Sequence, residues 1–140
     1  MKSNKGFTLI ELLVVIAIMV ILMGIVLVAV NPGRQYKQAR DAKRQSDVNA
    51  ILNALNQYQV DHDGNAPSGM ATCPTYSDIG TGGLDLAAVL VSSYIAEMPV
   101  DPQTGCNQAD TCYDVCETAA GRITVTAPNA ETGTTISVTR

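Results

Sequence analysis

Four cysteines, one histidine and one acid set into an apolar run carry most of the chemistry this sequence offers. Cys73, Cys106, Cys112 and Cys116 are even in number and all lie in the second half of the chain, which suits two disulfides in an oxidising compartment. Three pairings exist. An extended Cys112–Cys116 segment sets those α-carbons about 13 Å apart, beyond the ~7 Å that a bridge tolerates. Two pairings are left, and Cys106–Cys116 with Cys73–Cys112 is the expected one. Zinc is disfavoured, because no C-x-x-C pair occurs and His62 is remote from the cysteines. Asp61-His62-Asp63-Gly64-Asn65 starts like a calcium loop, but Ala66 and Thr72 stand where an EF-hand needs Gly and Glu. No nucleophile–base pair, phosphate-cradling glycine loop or hydrolase metal spacing is present. A single His with no tuned partner is poor material for acid–base chemistry, so the sequence does not read as an enzyme.

Glu11 is the other unusual group. It precedes Leu12–Val30, nineteen residues without a charge. As a helix with ~1.5 Å rise per residue this run spans about 29 Å, close to the hydrocarbon thickness of a bilayer. Only a helix satisfies its own backbone there, so the β-branched content does not make it a strand. A domain of 140 residues cannot surround a helix that is apolar on every face. The run also fits a secretory signal poorly: it is too long, and Asn31-Pro32-Gly33-Arg34 follows it in place of a small-x-small cleavage site. A carboxylate in such a segment is costly and usually marks function. Snorkelling and the helix dipole make Glu11 tolerable in a lone membrane helix. In a packed bundle an unpaired acid is penalised and a nearby cation is strongly attractive, which makes Glu11 a candidate for pairing between chains.

Met1-Lys2-Ser3-Asn4-Lys5-Gly6 is a short basic leader, and Lys5-Gly6-Phe7-Thr8-Leu9-Ile10-Glu11-Leu12-Leu13 follows on from it. This closely resembles the N-terminal motif of type IV pilins and type II secretion pseudopilins. The resemblance is dense over about residues 1–65. It implies cleavage between Gly6 and Phe7 by a prepilin peptidase at the cytoplasmic membrane face, and N-methylation of Phe7. It also implies retention of the apolar helix as an anchor, and an assembly motif that includes Thr8 and Glu11. There Glu11 of an incoming subunit meets the Phe7 α-amine of its neighbour and sets axial register, as one buried polar group does in a coiled coil. The partners implied are further copies of the chain through their N-terminal helices, the membrane, and an assembly platform driven by a cytoplasmic ATPase. The location implied is a single-pass membrane protein with its head outside the cytoplasm, then a cell-surface or periplasmic filament.

The charge distribution fits a stem and a head. Nine Lys+Arg against thirteen Asp+Glu give a net charge of −4, which argues against a nucleic-acid binder. Seven of the nine bases lie in the first 44 positions, and from Gln45 onward there are eleven acids and two bases. Counting Lys and Arg alone puts five in the flank Arg34–Arg44 and two in the leader, which favours a cytoplasmic head. The cysteines and the resemblance favour the opposite orientation, and the head is expected outside the cytoplasm.

Pro32 and Gly33 are expected to break the helix after the anchor, and Gly24 is either a second weak point or a close-packing position. From Arg34 the helical pattern resumes. Val48, Ile51, Leu52, Leu55 and Tyr58 form one apolar stripe, and Asp61–Asn65 reads as its stop. The charges Arg40, Asp41, Lys43, Arg44 and Asp47 are expected on a solvated surface. The stem, and Tyr94-Ile95 with Met98-Pro99-Val100-Asp101-Pro102 after a short helix at about 84–94, also look like the major pseudopilin. That protein binds calcium in a loop of this region, so Asp101, Asp110 and Asp114 are candidate ligands by resemblance. Surface turns are ordinarily Asp-rich, and no cofactor is expected. The Cys-rich insert and Thr-rich tail depart from the pseudopilin pattern. Residues 122–127 and 134–139 alternate as an antiparallel hairpin around a Pro128–Gly133 turn, with Cys112–Cys116 as a third strand.

The expected fold is α+β and pilin-like. A leader (1–6), a transmembrane and filament-core helix (7–30) and an amphipathic stem helix (31–63) precede a small disulfide-braced head with a C-terminal sheet (64–140). The function expected is a structural subunit of a type IV pilus-like filament. A major-pseudopilin-like subunit of a type II secretion system and a membrane-tethered binding domain that never polymerises are the alternatives.

Overall fold

A computed structural model describes residues 6–140, so most of the leader lies outside the described residues. The elements in chain order are α1 (Leu9–Val30), α2 (Pro32–Asp61), β1 (Ser77–Asp78), α3 (Ala87–Leu90), β2 (Asp114–Glu117), β3 (Ile123–Ala127) and β4 (Ile136–Thr139). The strands form one antiparallel sheet in the order β1-β2-β3-β4. The architecture is the expected long apolar helix followed by an α+β head. Two compact units divide the chain between Tyr36 and Lys37.

In the first unit α1 buries none of its side chains. Among the described residues it is the one helix long and apolar enough to cross a membrane. The break after it differs from expectation. Asn31 is the non-helical residue, at φ 44 and ψ 79, while Pro32 and Gly33 are the first residues of α2. Proline at a first helical position gives up an amide that has no helical partner there, and its fixed φ suits the helix. Asn tolerates the left-handed conformation that ends α1. Gly24 stays helical within α1.

In the second unit Val48, Ile51, Leu52 and Leu55 of α2 are fully buried in one cluster with Val115, Ile123 and Val125 of the sheet. Burial of each such side chain is worth about 1.5–3 kcal/mol. Tyr58 packs at the edge of this cluster, so the expected stripe is the core face. The helix stops where Asp63 (φ 54) and Gly64 (φ 85) turn left-handed and the Gly64 amide reaches back to the Gln59 carbonyl at 2.8 Å.

The hairpin lies where the alternation put it, β3 against β4, with Val125 opposite Val138. The third strand is Asp114–Glu117 and not Cys112–Cys116, because Cys112 sits at φ 60 in a turn before it. The short helix shrinks to Ala87–Leu90, since Val91 is extended and Ser92 has φ 68. The edge strand β1, only two residues long, is too short to show a period in the sequence.

The disulfides are Cys73–Cys116 and Cys106–Cys112, with Cα–Cα distances of 5.2 and 5.7 Å. This corrects the expected pairing. The Cys73 amide donates to the Glu117 carbonyl and the Glu117 amide to the Ala71 carbonyl, each at 2.9 Å, so residues 71–73 run beside the end of β2 and meet Cys116. Cys106 precedes a tight turn in which the Asn107 amide donates to the Asp110 carbonyl at 2.8 Å. That turn folds Cys106 back onto Cys112.

Candidate functional site

The chemistry at the amino terminus is built by three residues. Thr8 is the N-cap of α1, and its hydroxyl accepts from the Glu11 amide at 3.3 Å. Glu11 answers with one carboxylate oxygen: Oε2 accepts from the Thr8 amide at 2.8 Å and from the Thr8 hydroxyl at 2.7 Å. This is a reciprocal capping box, which satisfies two amides that a helix start leaves without partners. Glu11 Oε1 has no hydrogen-bond partner among the described residues. The box therefore uses half of the carboxylate and leaves the other half open to a cation. Phe7, directly before the cap, is 84% exposed. The apolar surface of α1 continues from there with no residue buried among the described residues, and around Gly24 it carries a shallow hollow lined by Val20, Ile21, Ile25 and Val28.

A second polar centre lies in the head, where three of the five charges expected in solvent are buried and Lys43 is exposed as expected. Arg44, expected in solvent, has no exposed surface, and Asp41 and Asp47 are also buried. The Arg44 guanidinium donates to Asp101 through Nε (2.7 Å) and Nη2 (3.0 Å), and through Nη1 to Asp41 (2.7 Å) and Glu131 (3.1 Å). Arg40 adds a forked pair to Glu131. Asp41 also accepts from the Glu131 and Thr132 amides and the Thr132 hydroxyl, at 2.7–3.1 Å. Asp47 accepts from Lys43 at 3.1 Å and from the Tyr113 hydroxyl at 2.9 Å.

The electrostatics follow from these contacts. Hydrogen bonds to Asp101 hold the Arg44 proton still more tightly than usual, against the cost of burial. Burial pushes the Asp41 carboxyl up, but the Thr132 hydroxyl, the two loop amides and Arg44 together hold it well below the ordinary carboxylate range. Arg40, aided by Arg44, brings Glu131 down to about 2. Burial, then the Asp47 carboxylate, push the Tyr113 hydroxyl far up. The signal for this cluster was present in the spacing. Positions 41, 44, 48, 51 and 55 recur at three and four residues, so the apolar stripe runs on through Asp41 and Arg44.

The three calcium candidates do not form one group, although Asp110 is near enough to Asp114 to act on its charge. Asp101 is taken by Arg44, and Asp110 accepts from the Cys112 amide at 2.9 Å. Asp114 lies opposite Asp78 across β1 and β2. Among the described residues no group of three or more His, Cys, Asp or Glu is disposed to hold a metal ion.

The comparison with known families bears on the first of these centres. The prokaryotic N-terminal methylation motif matches residues 1–27, the span that contains the Gly6-Phe7 junction, the Thr8–Glu11 box and most of α1. The amino-terminal segment thus carries a type IV pilin-like methylation motif. This chain is 36% identical over 66 residues to the ComG operon protein 3 homolog of Bacillus licheniformis. The match covers 47% of this chain and 66% of that relative, just under two thirds of its length. No solved structure significantly matches this chain.

Proposed function

We propose that this chain is the structural subunit of a type IV pilus-like filament. A prepilin peptidase cleaves it between Gly6 and Phe7, and Phe7 is then N-methylated. The observation that carries the reading is a fully exposed apolar helix whose first turn holds a half-used carboxylate. Before assembly α1 is covered by acyl chains, and in the filament it is covered by the same helix of neighbouring copies. Glu11 Oε1 then receives the Phe7 α-amine of the adjoining subunit while Oε2 keeps the Thr8 cap. Extraction from lipid draws on a cytoplasmic ATPase acting through a membrane platform, with the head outside the cytoplasm.

The short envelope-bound filament of a type II secretion system is the second reading, and the pseudopilin-like Met98–Pro102 loop favours it. Microscopy of sheared surface material distinguishes the two: long fibres support a pilus, and envelope-bound material alone supports a pseudopilus. Persistent monomers support the tethered binding domain.

Glu11→Gln tests the mechanism, because it keeps an oxygen for the Thr8 cap and removes only the charge. The variant is expected to insert into membrane normally and to fail to join wild-type filaments. Efficient co-assembly removes the role assigned to Glu11.

A further inference from the structure

We infer that the first two turns of α2 form a basic collar for anionic lipid headgroups, an inference that rests on reading α1 as the membrane anchor. Between Glu11 and Asp41 the chain has no acid and three bases, Arg34, Lys37 and Arg40. The five bases of Arg34–Arg44 divide into two sets. Arg40, Lys43 and Arg44 are held by Glu131, Asp47, Asp41 and Asp101. Arg34 and Lys37 are exposed and have no ion-pair partner among the described residues. Tyr36 beside them is 68% exposed, and every residue from Asn31 to Ala39 is exposed.

Position identifies the occupant. The apolar helix ends at Val30, and a headgroup layer is about 5–8 Å thick on each side of the hydrocarbon. Arg34 is the fourth residue after Val30 and Lys37 the seventh, and long basic side chains lay their apolar stems toward the hydrocarbon while their charges stay in the headgroup layer. Tyrosine favours this same layer, with its ring toward the acyl chains and its hydroxyl in water. The Asn31 side chain accepts from the Arg34 amide at 3.4 Å, which ties the collar to the end of the anchor. Two uncompensated cations, an interfacial aromatic and continuity with a spanning helix fit a leaflet containing phosphatidylglycerol-like lipids. Before assembly the collar binds these headgroups beside the anchor's end.

The chain contains no Trp, so Tyr36→Trp supplies a single reporter in the full-length protein. Vesicles of phosphatidylcholine carry a minor fraction of brominated phosphatidylglycerol or, in the matched set, brominated phosphatidylcholine. Quenching by the anionic lipid is expected to exceed its matched control, with local enrichment of roughly fivefold per base. Arg34→Gln with Lys37→Gln, or high salt, is expected to abolish the difference. Equal quenching by the two lipids overturns the collar and leaves the anchor standing. A change in emission that follows protein density and not lipid charge assigns the surface to a second copy and also overturns it. No quenching by either lipid overturns the membrane reading and the collar together.

Discussion

Arg44 and Asp101, 57 positions apart, hold each other through two hydrogen bonds of 2.7 and 3.0 Å, and neither side chain has any exposed surface. The pair joins the stem helix to the loop that leads into the Cys106–Cys112 turn. Removing Arg44 leaves the buried Asp101 carboxylate without its cation, a loss of ~3–5 kcal/mol, whereas removing Asp101 leaves Arg44 still paired with Asp41 and Glu131. Arg44→Met is therefore expected to lower the unfolding free energy of the head by about that amount. Arg44→Met with Asp101→Leu is expected to recover part of the loss, because no charge of the pair is then stranded. Denaturant unfolding of the full chain in micelles measures both. A single-variant loss below about 1 kcal/mol is the contrary result, since it is the size of an ordinary surface pair.

Asp41 acts on the other side of the same guanidinium. It accepts from the Glu131 and Thr132 amides and so fixes the turn between β3 and β4. Asp41 and Glu131 both titrate below their usual range, Glu131 at about 2. Stability from depressed acids is fully present above their unfolded values near pH 4 and is lost as pH falls through the folded ones. Asp41→Asn is expected to destabilise by about 1–3 kcal/mol at pH 7, with the two melting curves converging toward pH 2. A difference that persists unchanged at that pH contradicts the assignment.

Asp114 behaves in the opposite sense. Burial, then the Asp78 carboxylate opposite it and Asp110, raise its pKa to about 6. The folded state therefore binds the proton more tightly than the unfolded chain. Stability is greatest below about pH 4 for this group and falls as pH rises toward 6. Asp114→Asn is expected to stabilise the head at pH 7.5 by about 1–2 kcal/mol after allowance for solvent screening, and to have little effect at pH 4. Melting temperatures at the two pH values test this, and a variant less stable at pH 7.5 contradicts it.

The two disulfides close loops of unequal length, with separations of 43 and 6 residues. Loop-closure entropy makes the longer one worth about 4 kcal/mol and the shorter about 2. Replacing Cys73 and Cys116 by Ala is expected to lower the melting temperature more than replacing Cys106 and Cys112. Non-reducing peptide mapping checks the connectivity directly, and a Cys106–Cys116 peptide contradicts it.

Local signals carried much of this fold. The uncharged run 12–30, the stripe from Val48 to Tyr58 and the alternation around Pro128–Gly133 each depend on near neighbours, and each lies where its period put it. The errors came where distant segments decide the outcome. Cys73 meets Cys116 because backbone bonds set residues 71–73 beside β2, and no local spacing encodes that. Asp41 and Arg44 looked solvated because their type is polar, although their helical phase pointed inward. The helix break moved by one residue because Asn31 adopts the left-handed turn and Pro32 starts the next helix. At the amino terminus the Thr8–Glu11 spacing already contained the capping box.

The most direct measurement is mass spectrometry of the chain recovered from sheared filaments. A subunit that begins at Phe7 and carries one methyl group on its amine is the result expected. A chain that still begins at Met1 in fully assembled filaments contradicts the proposal, because no free Phe7 amine then exists for Glu11 to meet.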